Sequence, residues 1–212
     1  MESTKILGVR VDKVSLGEAI KLVGEWVKQD KKRYIVTVNP EFVMLAQKDE
    51  EFKKILNNAD LAICDGAGLG LADRRLIKVS GVDLMLSLIK KGYKTLLIGA
   101  RPGIAEKAAR KLGVSGMSGP DVKKINELKP DLLFVALGMG KQEKWIVDNL
   151  PKLNVKVAMG VGGALDQIAK PWLRAPKLVR QIGLEWLYRL IFQPRRIKRQ
   201  WQLVRFLVKI YL

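Results

Sequence analysis

The sequence predicts an α/β fold: a Rossmann-like, mostly parallel sheet covered by helices, with a basic amphipathic helical appendage at the C-terminus. Three observations carry that prediction. Five apolar or β-branched runs are each followed by a glycine or proline turn and a helix-period pattern, the alternation that builds parallel sheets. The 212 residues suit one ordinary domain plus a short addition. Composition then shifts near Lys170, where basic residues and a helical apolar stripe take over. We therefore expect an α/β domain over residues 1–169 and the appendage over 170–212.

In chain order, Leu7, Val9 and Val11 alternate with Gly8, Arg10 and Asp12, the period of a half-buried strand. Ser15 and Glu18 have capping-box spacing and open a helix through Trp26 and Val27. Tyr34-Ile-Val-Thr-Val38 is a strand ending at Asn39-Pro40, and Pro40 suits the first turn of a helix expected to continue toward Leu56. Leu61-Ala-Ile-Cys64 is a short strand stopped by Asp65-Gly66. Ser80 caps a helix running to Gly92. Thr95-Leu-Leu-Ile98 then leads into Gly99-Ala-Arg-Pro-Gly103 and an alanine-rich helix. Asp131-Leu-Leu-Phe-Val-Ala-Leu137 leads into Gly138-Met-Gly-Lys-Gln-Glu143, and Val155-Lys-Val-Ala-Met159 into Gly160-Val-Gly-Gly163.

Charge and composition narrow the chemistry. Lys and Arg number 39 against 21 acids, a net charge of +18. Residues 170–212 contribute +10 of it, with eleven basic residues and one acid. There are no histidines, which removes Ser-His-Asp and Cys-His catalysis and histidine-ligated zinc; an enzyme here would use a carboxylate base. One cysteine cannot form an internal disulfide, which suits a reducing cytosol. No apolar run is long enough to cross a bilayer and the first twelve residues lack a leader pattern, so we expect a cytoplasmic protein held peripherally at a membrane. Ile197, Trp201, Val204, Val208 and Tyr211 step by helical spacing among Arg195, Arg196, Lys198, Arg199, Arg205 and Lys209. That pattern favours an anionic membrane surface over a core or oligomer helix, and over nucleic acid, for which no recognised module lies upstream. A homo-oligomer built through the stripe stays open.

In parallel α/β sheets, ligands bind beyond the carboxyl ends of the strands. The strand ends here carry Thr37-Val-Asn39, Asp65-Gly66, the turn containing Gly138, and the turn containing Gly162 and Gly163. Glycine turns let backbone N–H groups approach phosphate, so a nucleotide or nucleotide-sugar site is favoured over packing alone. There is no P-loop and no true dinucleotide fingerprint. Asp65 follows an apolar strand where partial desolvation would suit it to general-base work, against the competing role of a helix cap. Thr37 and Asn39 share one face of a strand and suit sugar hydroxyls or a turn. Lys141 and Gln142 begin a helix, within reach of phosphate and sugar. Asp166 reads as a capping or structural carboxylate, and Cys64 as a buried apolar residue. No D-x-D occurs, so the usual divalent-cation clamp of sugar-nucleotide enzymes is missing.

Thr37-Val-Asn39-Pro40-Glu41, Asp65-Gly66, Val79-Ser-Gly-Val-Asp83-Leu, Ala136-Leu-Gly-Met-Gly-Lys-Gln-Glu-Lys-Trp145, Met159-Gly-Val-Gly-Gly163 and Gly183-Leu-Glu-Trp-Leu-Tyr-Arg189 together resemble the WecG/TagA/CpsF glycosyltransferases, in order, over nearly the whole chain. The resemblance implies an inverting, metal-independent enzyme that needs no cofactor. Its donor would be a UDP-sugar, N-acetylmannosamine or a related sugar, and its acceptor a polyprenyl-diphosphate-linked N-acetylglucosamine of teichoic-acid-like polymer synthesis. It implies that Asp65 is the base, that Thr37, Asn39 and Gln142 line the substrate pocket, and that Arg189, Arg196 and Arg199 close over the site and hold a diphosphate. Lys78 stands where the family usually has arginine, which loses a bidentate phosphate contact. Met139-Gly140 stands where Ala-Pro is usual, giving a looser turn. The alternative class is a redox or non-catalytic nucleotide-binding Rossmann-like protein with a basic nucleic-acid-binding helix; the missing dinucleotide fingerprint weighs against it.

Overall fold

The computed structural model describes residues 1–66, 68–176, 178–179, 184–192 and 197–211, without the side chains of 185, 186, 189 and 197–200. The first two strands, β1 (Ser3–Ile6) and β2 (Val9–Asp12), form an antiparallel hairpin. The single strand expected over Leu7–Val11 is therefore corrected. Leu7 and Gly8 are the turn, with φ of 47° and 80°, the pair of left-handed residues that matches strand twist in a two-residue hairpin. Asp12 ties the hairpin down: it is buried, pairs with Arg10, and accepts from the Ala62 backbone N–H at 2.8 Å.

The main sheet has six parallel strands: β3 (Arg33–Val38), β4 (Leu61–Cys64), β5 (Thr95–Gly99), β6 (Ser115–Met117), β7 (Leu132–Ala136) and β8 (Val157–Gly160). Their spatial order is β4-β3-β8-β7-β5-β6. β6 is an addition to the five strands expected from sequence; its Ser-Gly-Met is too short and too polar to register as a strand. Period-two alternation along each strand divides the interior in two. Tyr34, Val36, Val38, Leu133 and Val135 join one core, and Ile35, Leu132, Phe134, Val157 and Met159 the other.

Helices cover both faces. α1 (Leu16–Val27) opens on the expected capping box, Glu18 accepting from the Ser15 N–H at 2.8 Å. The helix expected to run from Pro40 toward Leu56 is two helices, α2 (Pro40–Ala46) and α3 (Glu50–Asn57). Asp49 starts the second by accepting from Phe52 N–H at 2.9 Å, a cap that outcompetes continuation. α4 (Gly81–Ile89), α5 (Ile104–Leu112), α6 (Val122–Leu128), α7 (Lys141–Asn149) and α8 (Ala164–Ala169) follow, and helices Glu185–Phe192 and Ile197–Tyr211 end the chain. The last of these packs on α2 and sends Phe206, fully buried, into the core beside Leu203, Leu207 and Ile210.

Candidate active site

The chain leaves β5 toward β6 and leaves the neighbouring β7 toward β8, so connections diverge at that point and open a crevice at the carboxyl edge. A cleft of about 490 Å³ lies along this edge. Thr37, Asn39, Asp65, Gly138, Gln142, Gly162 and Gly163 all line it, so seven of the residues singled out from sequence meet in one place.

Asp65 continues the sheet by one residue, its N–H donating to the Val38 carbonyl at 2.8 Å. Its half-buried carboxylate then turns to the start of α4 and accepts from the Gly81 N–H at 3.2 Å. Ser80 caps the same helix, accepting from Asp83 N–H at 3.4 Å. A carboxylate at a helix N-terminus is held by an orphan N–H and by the helix dipole. Asp65 thus sits in the cleft with one oxygen fixed. Gly81 also makes room for the site: a Cβ there would lie 2.9 Å from the Thr37 methyl carbon. Asn39 has a structural duty, its Oδ1 accepting from Phe42 N–H at 3.1 Å to cap α2, with Pro40 at the first helical position.

The two glycine turns are joined through buried side chains. Gln142 Oε1 accepts from the Gly162 N–H at 3.0 Å, and Gln142 Nε2 donates to Glu143 Oε1 at 2.6 Å. Glu143 Oε2 accepts from the Gly140 N–H at 2.8 Å, where Gly140 has φ of 80°. Gly160 passes so close that a Cβ would meet Gln142 and Glu143 at 2.6 Å. Burial pushes the Glu143 carboxyl up to about 7, against the pull of these hydrogen bonds. Sequence reasoning quoted Glu143 only as part of a motif. The signal available was its place three residues after a glycine that opens a helix, where a glutamate reaches back to free N–H groups.

Arg101 and Glu41, neither singled out from sequence, also line the cleft. Arg101 Nη2 donates to Asp166 Oδ1 at 3.0 Å, so Asp166 serves as an ion-pair partner at the cleft. Lys78 is exposed and its backbone bridges to Cys64; it is not among the residues lining the cleft. Burial raises the Cys64 thiol to about 12, with the Asp65 charge adding to the effect, so it is no nucleophile at neutral pH. Arg196 lies outside the described residues, as do the side chains of Arg189 and Arg199. Arg189 is on helix Glu185–Phe192 and Arg199 on helix Ile197–Tyr211.

The apolar stripe of the C-terminal helix has the opposite orientation to a core stripe. Trp201, Val204, Val208 and Tyr211 are half or more exposed, while Leu203, Phe206, Leu207 and Ile210 pack inward. The Ile197 side chain is outside the described set. Among the described residues no helix is long and apolar enough to cross a membrane.

A glycine-walled cleft with a carboxylate at the carboxyl edge of a parallel α/β sheet is where ligands bind in folds of this class. The model of the glycosyl transferase WecG/TagA/CpsF family matches residues 4–212. Curated relatives from Staphylococcus aureus, in strains MRSA252, NCTC 8325 / PS 47 and COL, are each 30% identical over 230 aligned positions, covering 97% of this chain and 91% of the relative. All three bear the name N-acetylglucosaminyldiphosphoundecaprenol N-acetyl-beta-D-mannosaminyltransferase. The chain belongs to the WecG/TagA/CpsF family and is a glycosyltransferase.

Proposed function

We propose that this enzyme transfers N-acetylmannosamine, or a closely related sugar, from UDP to a polyprenyl-diphosphate-linked N-acetylglucosamine, with inversion and without a metal ion. The product would be an early lipid-linked intermediate of a teichoic-acid-like polymer. The observation that carries the reading is the Asp65 carboxylate, held by the Gly81 N–H at one side of a cleft that the glycine turns also line. The names of the relatives supply the sugars and the lipid carrier.

The proposed chemistry is a single displacement. Asp65 takes the proton of the acceptor hydroxyl as its oxygen attacks the anomeric carbon from the face opposite UDP. The carbon–oxygen bond to the β-phosphate breaks and its electron pair leaves with UDP, so a single displacement inverts the centre. Backbone N–H groups of the glycine turns, together with Arg189, Arg196 and Arg199, would offset the charge that builds on the leaving diphosphate. The exposed Trp201, Val204, Val208 and Tyr211, beside Arg205 and Lys209, support peripheral attachment to an anionic membrane on its cytoplasmic face, where the lipid-linked acceptor would be met.

The test is turnover of a short-chain prenyl-diphosphate-N-acetylglucosamine acceptor against a panel of UDP-sugars, read by mass spectrometry and by the anomeric configuration of the product. UDP-N-acetylmannosamine is expected to be consumed, with inversion, and chelation by EDTA is expected to leave the rate unchanged. Retention of configuration would reject the single displacement, and loss of activity with EDTA would reject the metal-free reading.

A further inference from the structure

The described cleft is acidic for a site that receives a nucleoside diphosphate. Glu41, Asp65 and Asp166 line it, and Arg101 is the only cation among its described lining residues. Among the described residues, a diphosphate entering this cleft therefore meets one guanidinium, that of Arg101.

The backbone places Arg101 there at a cost. Gly99 has φ of 90°, and a Cβ on it would lie 3.0 Å from the Ala136 carbonyl. Ala100 then adopts φ of 61°, unusual for a residue with a side chain. Its N–H donates to the Ala136 carbonyl at 2.7 Å, which locks the turn against β7. Held conformations of this kind cluster at ligand sites. Arg101 follows directly, with its side chain 70% exposed and one described contact, from Nη2 to Asp166. A guanidinium carries five N–H donors, so the Asp166 contact leaves most of them for a ligand. The same contact keeps the flexible side chain at the cleft when no ligand is present.

We propose that Arg101 binds the diphosphate of the nucleotide-sugar donor, donating to it with the N–H groups left over from the Asp166 contact. The inference rests on the donor reading above and adds a residue to it. Guanidinium–phosphate pairs are charge-assisted and can be bidentate. When the anomeric carbon–oxygen bond breaks, its electron pair moves onto the β-phosphate oxygen, and the charge facing Arg101 grows. The contact therefore acts on the leaving step as well as on binding.

Calorimetric titration of the full chain with uridine, UMP and UDP separates the phosphate contribution from the nucleoside contribution. The wild type is expected to bind UDP more tightly than uridine. Arg101→Ala is expected to weaken UDP roughly 10- to 100-fold while leaving uridine affinity unchanged, the range for losing a charged hydrogen-bonded pair. Arg101→Lys is expected to fall between, since lysine keeps the charge and loses the fork. Unchanged uridine binding is also the control for folding. A variant that keeps the wild-type ratio of UDP to uridine affinity overturns the proposal, because the phosphates are then held elsewhere. Equal weakening of uridine and UDP overturns it too, by moving the contact to the nucleoside. A wild type that binds UDP no better than uridine would overturn the donor reading and this proposal together.

Discussion

Asp65 and Glu143 are two carboxylates of one site with opposite surroundings. Asp65 is half-buried at the N-terminus of α4, where the proposed mechanism has it accept a proton. Asp65→Asn keeps the shape and removes the base, so kcat is expected to fall about 10²- to 10⁴-fold with UDP binding retained; near-normal turnover would remove Asp65 from the mechanism. Glu143 is 1% exposed, and its carboxyl titrates near 7 when folded against an ordinary 4.5. Between those values the folded chain keeps a proton that the unfolded chain releases. Stability conferred at this position is therefore lost as pH rises from about 4.5 to 7, by roughly 3 kcal/mol at most. The denaturation free energy of wild type minus Glu143→Gln should fall across that window, and a flat difference would show an ordinary carboxyl. Asp65, Thr37, Asn39 and Gln142 were legible in the sequence because each stands at a strand end or a helix start. Arg101 and the state of Glu143 were not, since both depend on neighbours 65 and about 20 residues away, Asp166 and the Gly160–Gly162 turn.

At the level of elements, local chemistry reads well where partners are close in sequence. Ser15–Glu18, Asn39–Phe42 and Ser80–Asp83 each make the cap their spacing implies. The hairpin turn at Leu7-Gly8 is not legible in the sequence, because an unbroken alternation fits one strand as well as a hairpin whose turn contains a leucine. The break between α2 and α3 was missed because apolar periodicity crosses it while Asp49 caps the second helix. β8 comes close to α7 at Gly160. Gly160→Ala is expected to push Gln142 and Glu143 off their partners, to lower stability by about 1–3 kcal/mol and to weaken UDP binding. Thermal unfolding and UDP titration check both effects. Ser80→Ala should cost about 1 kcal/mol and, by loosening the start of α4 that holds Asp65, reduce kcat more than KM.

For the whole molecule, the C-terminal helix has two faces, one packed into the core and one exposed. Phe206→Ala should destabilise the protein by about 3–5 kcal/mol and raise hydrogen exchange along Ile197–Tyr211, because the ring is fully buried. Trp201→Glu with Val208→Glu should leave the melting temperature unchanged and reduce binding to anionic liposomes, because both side chains are more than half exposed. Liposome flotation unaffected by that pair would move membrane attachment elsewhere. Deleting the whole helix cannot make this distinction, since it removes core and surface together. By itself the sequence determined the parallel α/β class, the strand ends that carry chemistry and the basic helical C-terminus, all properties of short-range pattern and charge. Only the tertiary structure decided the strand order β4-β3-β8-β7-β5-β6, which face of the last helix meets the core, and which carboxylates gain or lose solvent. Those depend on contacts between segments far apart in the chain, and periodicity shows that a face is apolar without showing what covers it.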